Sequence, residues 1–294
     1  MMATESVFLG TGAAEMFPNP FCGCAVCRRA RENRETRLRA AMLLDGTMMI
    51  DFGPDVCAAS QHYGVPLDRV EHVLVTHTHE DHLNEATFSV LTMTEMAHPI
   101  HFYLSEEGCA WLADVTASQK DCPGSFGWML ASLQEAGKIV FHAVWPYRPF
   151  DAGGKRVTPL KTNHAGNGAD ETALNYLIEW ERGAWLYAAD TGLYGEENLR
   201  FLEARAREHG ALDTVIFEGT YGSENMPRDC GHMDAARLCE QFSDLRRIAA
   251  LDGHTRVFLT HINQVQHFSH AEYQDYMNRH ADAHVTVARD GMRI

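Results

Sequence analysis

Residues His77-Thr78-His79-Glu80-Asp81-His82 follow the apolar run Val73-Leu74-Val75, and no other stretch restricts the possible folds of this chain so far. Three histidines and an aspartate within six residues is a density of metal donors that packing alone does not require. In an extended segment residues i and i+2 point the same way, so His77 and His79 can address one ion. Asp81 and His82 fall where the chain enters a predicted helix from Leu83 to Thr94, and can turn towards a second ion. A strand that ends in a short loop of nitrogen and carboxylate donors is how an open-sheet protein places metals at its sheet edge.

The 294 residues, 45% of them hydrophobic, suffice for a full core, and we expect one domain over residues 1–294. The formal charge of −15 would repel phosphates rather than match them, which argues against an extended nucleic-acid partner. Met1-Met2-Ala3-Thr4-Glu5-Ser6 has neither a basic start nor a long apolar run, and no stretch approaches the ~18 apolar residues of a membrane helix. A cytoplasmic protein without a membrane partner is therefore expected. Eight cysteines in a reducing compartment do not make a disulfide framework.

Along the chain, Ser6–Leu9 reads as a first strand and Gly10-Thr11-Gly12 as a turn. Cys22, Cys24 and Cys27 follow in a Pro- and Gly-containing loop at residues 22–27, dense enough to give three thiolates to one tetrahedral Zn²⁺. Arg39–Leu44 and Met48–Phe52 alternate about the Asp45-Gly46 turn and predict a hairpin. Helices are expected over Val56–Tyr63, Thr87–Ala97 and Ser105–Ala113, the last capped by Ser105. Residues 116–137 carry the weakest pattern, and Phe126, Trp128 and Met129 there read as packing rather than a lid. Strands are expected over Ile100–Leu104, Lys138–Val144, Lys155–Leu160, Ala173–Trp180, Ala184–Ala189, Thr214–Glu218, Val257–Thr260 and within Val285–Ile294. Further helices cover Asn198–His209, Ala235–Phe242 and Ala271–His280. Two strand-rich halves, each ending in helices, fit an α+β, four-layer αββα sandwich.

The string His77-x-His79-x-Asp81-His82 resembles the signature of the metallo-β-lactamase superfamily of hydrolases. The resemblance implies a distal His, a bridging Asp and a last His at further strand ends. His164, Asp190 and His261 stand in that order, each after a short apolar run. By the same resemblance, His77, His79 and His164 would hold one ion, Asp81, His82 and His261 a second, and Asp190 would bridge them. Asp51 would support the metal loop from behind. The CxCxxC loop is similar to that of PhnP-like phosphodiesterases, where a His three residues after the last catalytic His completes a structural zinc site. Here that position is Gln264, and His267 is the nearest substitute, with His270 and Cys230 behind it. Gly231-His232-Met233 resembles the segment of the phosphodiesterase branch whose His faces the scissile phosphate. At a helix start His232 would also sit among free backbone N–H groups suited to an anion.

Two divalent ions ~3.5–4 Å apart can share a hydroxide at neutral pH and neutralise the oxygens of a phosphodiester. Asp81 and His232 are then the catalytic candidates, His232 as general acid to the leaving alkoxide or in direct contact with the phosphate. Nitrogen and oxygen donors admit Zn²⁺ or Mn²⁺. The expected substrate is a small cyclic or nucleotide-like phosphodiester, 5-phosphoribosyl 1,2-cyclic phosphate above others. Alternatives are a tRNase Z-like endoribonuclease, a thioester or lactone hydrolase of the same frame, and a PqqB-like cofactor carrier or binding module without turnover. A homodimer is compatible with all of these.

Overall fold

The computed structural model describes residues 5–263 and 268–294. Alternating side chains divide each strand between two cores, and this sets the layers. In β1 (Val7–Gly10), Phe8 points one way while Val7 and Leu9 point the other. The first sheet runs in chain order: β1, β2 (Ala41–Leu44), β3 (Met48–Ile50), β4 (His72–Leu74), β5 (Ile100–Ser105) and β6 (Ile139–Val144). Its first two pairings are antiparallel and the rest parallel. The second sheet holds β7 (Phe150–Ala152), β8 (Lys155–Ala165), β9 (Thr172–Trp180), β10 (Gly183–Ala188), β11 (Thr214–Glu218), β12 (Arg256–Thr260) and β13 (Val285–Val287). It repeats the plan, antiparallel from β7 to β10 and parallel from β10 to β13.

Parallel neighbours need crossovers, and helices supply them. On the outer face of the first sheet lie α2 (Val56–Tyr63), α3 (Glu85–Thr92), α4 (Glu106–Gln119) and α5 (Phe126–Glu135), which bury Val56, Phe88, Leu112, Leu130 and Leu133 against Leu9, Val73 and Phe102. On the second sheet α6 (Glu196–His209), α7 (Ala235–Arg247) and α8 (His270–His280) bury Leu202, Leu238, Phe242 and Met277 against Leu186, Phe217 and Leu259. Between the sheets Phe8, Met42, Ile50 and Leu74 meet Tyr176, Ile178, Tyr187 and Phe258. The result is the expected four-layer αββα sandwich. Burying one side chain of this kind contributes about 1.5–3 kcal/mol, so the alternation in these strands is a strong determinant of the layering.

Several boundaries differ from expectation, each for a local reason. The helix expected over Thr87–Ala97 starts at Glu85, where the Asn84 side chain accepts from Ala86 N, and stops at Thr92. Ser105 caps α4 as expected, but the helix runs on to Gln119. In the weakly patterned 116–137 stretch, Ser125 caps α5, which packs Met129, Leu130 and Leu133 inward, so this region is packing. β8 extends past Leu160 to Ala165, with an irregular register after Lys161. The chain end splits between the sheets: Val285–Val287 closes the second, while Arg293 bridges Val7 of the first. No helix among the described residues is long and apolar enough to cross a membrane.

Candidate metal centre

The parallel register Ala188–Phe217–Leu259 aligns the carboxyl ends of β10, β11 and β12 on one edge. Asp190, Glu218 and His261 emerge there. β9 runs antiparallel to β10, so the far end of β8, carrying His164, returns to the same edge. The other sheet contributes the loop after β4. Leu174 N donates to Thr76 O at 2.8 Å and Tyr176 Oη to Val75 O at 2.6 Å, stitching that loop across the sandwich.

Two donor groups result, and a third, Asp190, Glu218, His232 and His261, overlaps the second. His77 Nε2 lies 2.9 Å from His79 Nδ1, and His164 Nε2 lies 3.4 Å from the same nitrogen. Asp81, His82, Asp190 and His261 form the second group, with all ligand atoms within 4.8 Å of one another. His82 Nε2 stands 2.6 Å from Asp190 Oδ2 and 3.0 Å from Asp81 Oδ2, and His261 Nε2 stands 3.1 Å from Asp190 Oδ1. Asp190 Oδ2 is also 3.7 Å from His77 Nε2, so one carboxylate faces both groups. The seven residues singled out in the sequence therefore meet at one edge.

The donor chemistry fits a cation. His82 Nε2, His261 Nε2 and both oxygens of Asp190 are buried, and none of them makes an aligned hydrogen bond despite these short separations. Buried polar atoms are rarely left unsatisfied, and lone pairs that converge without hydrogens between them are the arrangement of ligands around an ion. The opposite ring nitrogens are fixed. His82 Nδ1 lies 2.8 Å from Asp51 Oδ2 and His261 Nδ1 2.9 Å from Thr220 Oγ1, which keeps each Nε2 lone pair free. Asp51 also accepts from Thr76 N and Thr76 Oγ1, so it braces the metal loop as the resemblance implied. Asp51, Asp190 and His261 all adopt left-handed backbone angles, with φ of 65°, 50° and 54°. Non-glycine residues avoid that region, and strain of this kind gathers at functional sites.

Burial holds His77 well below its ordinary range and brings His164 down to about 4. Both rings are thus neutral, as ligands must be. Without an ion, burial opposes charge on both His82 and Asp190. Asp81, Asp190 and Asp51 nonetheless raise His82 well above its ordinary range, and His261 and His82 in turn hold Asp190 well below its own, so a bound cation would replace the proton on His82.

His232 enters from the loop before α7. Asp234, not His232, caps that helix and accepts from Arg237 N, so the expected seat among free N–H groups is not where His232 lies. Its Nδ1 instead lies 2.9 Å from the buried Glu218 Oε2 and 3.3 Å from Asp190 Oδ1, with the ring stacked 5.7 Å from His261. Burial opposes its charge, yet Glu218 and Asp190 raise His232 to about 10. Sequence reasoning missed Glu218. A carboxylate closing an otherwise buried strand, Thr214–Phe217, was the available clue.

Residues 47–262 match the family described as the beta-lactamase superfamily domain. The chain belongs to the metallo-β-lactamase superfamily. This is a superfamily of metal-dependent hydrolases. Zn²⁺-bound PqqB from Methylobacterium extorquens superposes with a TM-score of 0.70 at 19% identity, covering 99% of each chain. A new diphosphatase of the PhnP family gives 0.69 at 18% identity, covering 99% of this chain and 96% of its own. The short form of human tRNase Z gives 0.62 at 18%, covering 99% and 98%. At these identities the likeness shows the fold alone. No curated protein matches the chain.

Apart from the superfamily edge, the sulfur atoms of Cys22, Cys24 and Cys27 lie within 4.8 Å of one another. Cys24 caps α1 (Ala25–Asn33), accepting from Cys27 N, and that backbone bond lowers its pKa. Burial pushes Cys27 up to about 12. Arg31 Nη1 donates to Asn19 O at 3.0 Å and so pins the loop to the helix. Among the described residues no fourth donor joins the three. His270 Nδ1 is 2.9 Å from Arg37 Nη2, Cys230 is not in the group, and His267 lies outside the described residues.

Proposed function

We propose that the chain is a dinuclear metal-dependent phosphodiesterase acting on a small cyclic or nucleotide-like phosphodiester, with 5-phosphoribosyl 1,2-cyclic phosphate as the first candidate. The observation that carries this reading is His232, braced by buried Glu218 beside the donor groups. An alkoxide leaving group needs a proton, whereas a thiolate, with a parent thiol pKa of ~8.5, leaves without one. A braced imidazole at this edge therefore favours a phosphate ester over a thioester.

His77, His79 and His164 would hold one ion and Asp81, His82 and His261 the other, with Asp190 shared. Two such ions, Zn²⁺ or Mn²⁺, supply a water reactive at neutral pH and positive charge for the phosphoryl oxygens. His232 keeps Nδ1 on Glu218 and presents its other ring nitrogen for the leaving oxygen. Cys22, Cys24 and Cys27 would hold a separate structural zinc. The charge of −15 supports a small substrate rather than an extended nucleic acid, and eight free cysteines support the cytoplasm.

Purified protein with Mn²⁺ is expected to hydrolyse bis(p-nitrophenyl) phosphate, and Asp81→Ala to abolish it. His232→Ala should largely spare this substrate, whose p-nitrophenolate leaves unprotonated, and abolish hydrolysis of a cyclic ribose phosphate, whose alkoxide does not. Absence of turnover with the metals bound would reject the enzyme in favour of a cofactor carrier or binding module. A panel of cyclic ribose phosphates, cyclic nucleotides, tRNA precursors and thioesters then ranks substrates, and a clear preference for thioesters would overturn the phosphodiester assignment.

A further inference from the structure

Glu171 is a buried carboxylate that the chemistry above does not use. It is 4% exposed and lies in the short connection between β8 and β9, seven residues beyond His164. Its donors come from two places. Thr78 N gives a hydrogen bond to Oε1 at 3.0 Å, and Thr78 Oγ1 gives one to Oε2. Gly168 N gives another to Oε2 at 2.8 Å. The link is doubled by Asn167, whose N donates to Thr78 Oγ1 at 2.9 Å and whose Nδ2 donates to Thr78 O at 2.5 Å.

Thr78 stands between His77 and His79, and residues 165–171 follow directly on His164. Glu171 thus ties together the two loops that carry the three-histidine group. Removing a carboxylate from water costs several kcal/mol unless donors replace the water, and here Thr78 and Gly168, one from each loop, supply them. Three glycines make room for it. A Cβ on Gly166 would fall 2.2 Å from Glu171 Cδ, and on Gly168 or Gly108 3.1 Å from one of its oxygens.

We propose that Glu171 is the positioning residue of the three-histidine ion site, setting the separation of the His77–His79 loop from His164. The proposal rests on the dinuclear reading but not on the identity of the substrate. Hydrogen-bond partners behind metal ligands are worth about 10–100-fold in affinity, and Glu171 acts on three ligands through one clamp. Glu171→Gln turns one acceptor into a donor facing Thr78 or Gly168, and Thr78→Val removes the hydroxyl.

The test is metal affinity of the full chain, by stepwise competition with a chromophoric chelator and by Co²⁺ absorption spectra, neither of which needs turnover. Wild type is expected to hold two cleft ions of separable affinity. Glu171→Gln and Thr78→Val should weaken one of them by about tenfold or more and alter its Co²⁺ spectrum, with the second ion retained. Thr78→Ser, which keeps the hydroxyl, should behave as wild type. Unchanged metal affinity in both Glu171→Gln and Thr78→Val, or equal loss of both ions, would overturn the proposal. A wild-type chain that binds a single cleft ion would instead count against the dinuclear reading, and so also remove its ground.

Discussion

The metal edge and the cysteine loop collect donors in opposite ways. At the edge, donors come from the ends of β4, β8, β10 and β12; His77, His82, Asp190 and His261 are buried, and His82 and His261 have their opposite ring nitrogens fixed. In the loop, three sulfurs fall within six residues, Cys24 is exposed, and a helix start supplies most of the geometry. Donors that are neighbours in sequence can meet around an ion without the rest of the fold. Donors spread from residue 77 to residue 261 cannot, because closing such loops is entropically costly until the sheets pair. The edge should therefore depend on the whole sandwich, and the loop largely on itself.

The sharpest test of this contrast is Asp190, the carboxylate that faces both donor groups. Asp190→Ala should lower phosphodiester hydrolysis by about 10³-fold or more and release cleft metal, while the cysteine site keeps its zinc; loss of every metal together would erase the distinction. A smaller effect appears with pH in the metal-free chain. Burial holds His164 at about 4 in the fold, against ~6.5 when unfolded. A depressed histidine contributes stability that is present above ~6.5 and lost as pH falls through 4, here about 3 kcal/mol. Urea melts between pH 7.5 and 4 should show that slope in wild type and a shallower one in His164→Gln. Cys27, raised to about 12, adds nothing in acid, since its contribution is lost only as pH rises through that value.

Next in size, Asp51→Asn should weaken cleft metal about 10–100-fold, because Asn offers His82 Nδ1 a poorer acceptor. Isothermal titration would show it, and an unchanged affinity would mean that Asp51 serves the loop backbone alone. The smallest expected effect on turnover belongs to Cys24→Ser. Metal content should fall by about one equivalent while activity stays within about twofold, and a collapse of activity would show that the two regions are coupled after all.

Much of this was legible in the chain. The string His77–His82 carried the family, and the two strand-rich halves, each ending in helices, carried the layers, since both rest on short-range patterns. His164, Asp190 and His261 were located through resemblance, as ends of apolar runs. Glu218 and Glu171 were not, because each looks like an ordinary acidic residue until the strand or loop opposite it is in place. The helix start drew His232 to the wrong partner for the same reason: capping is readable locally, and Asp234 took that role.

Sequence alone determined which side chains could act as donors, and that the sandwich would put strand ends on an edge. Local spacing and side-chain chemistry suffice for that. Only the packed structure decided which ring nitrogens are free, which carboxylates brace them, and that His232 leans on Glu218. Those are matters of ångströms between residues up to some hundred positions apart, and such distances exist only once both sheets have closed on their shared core.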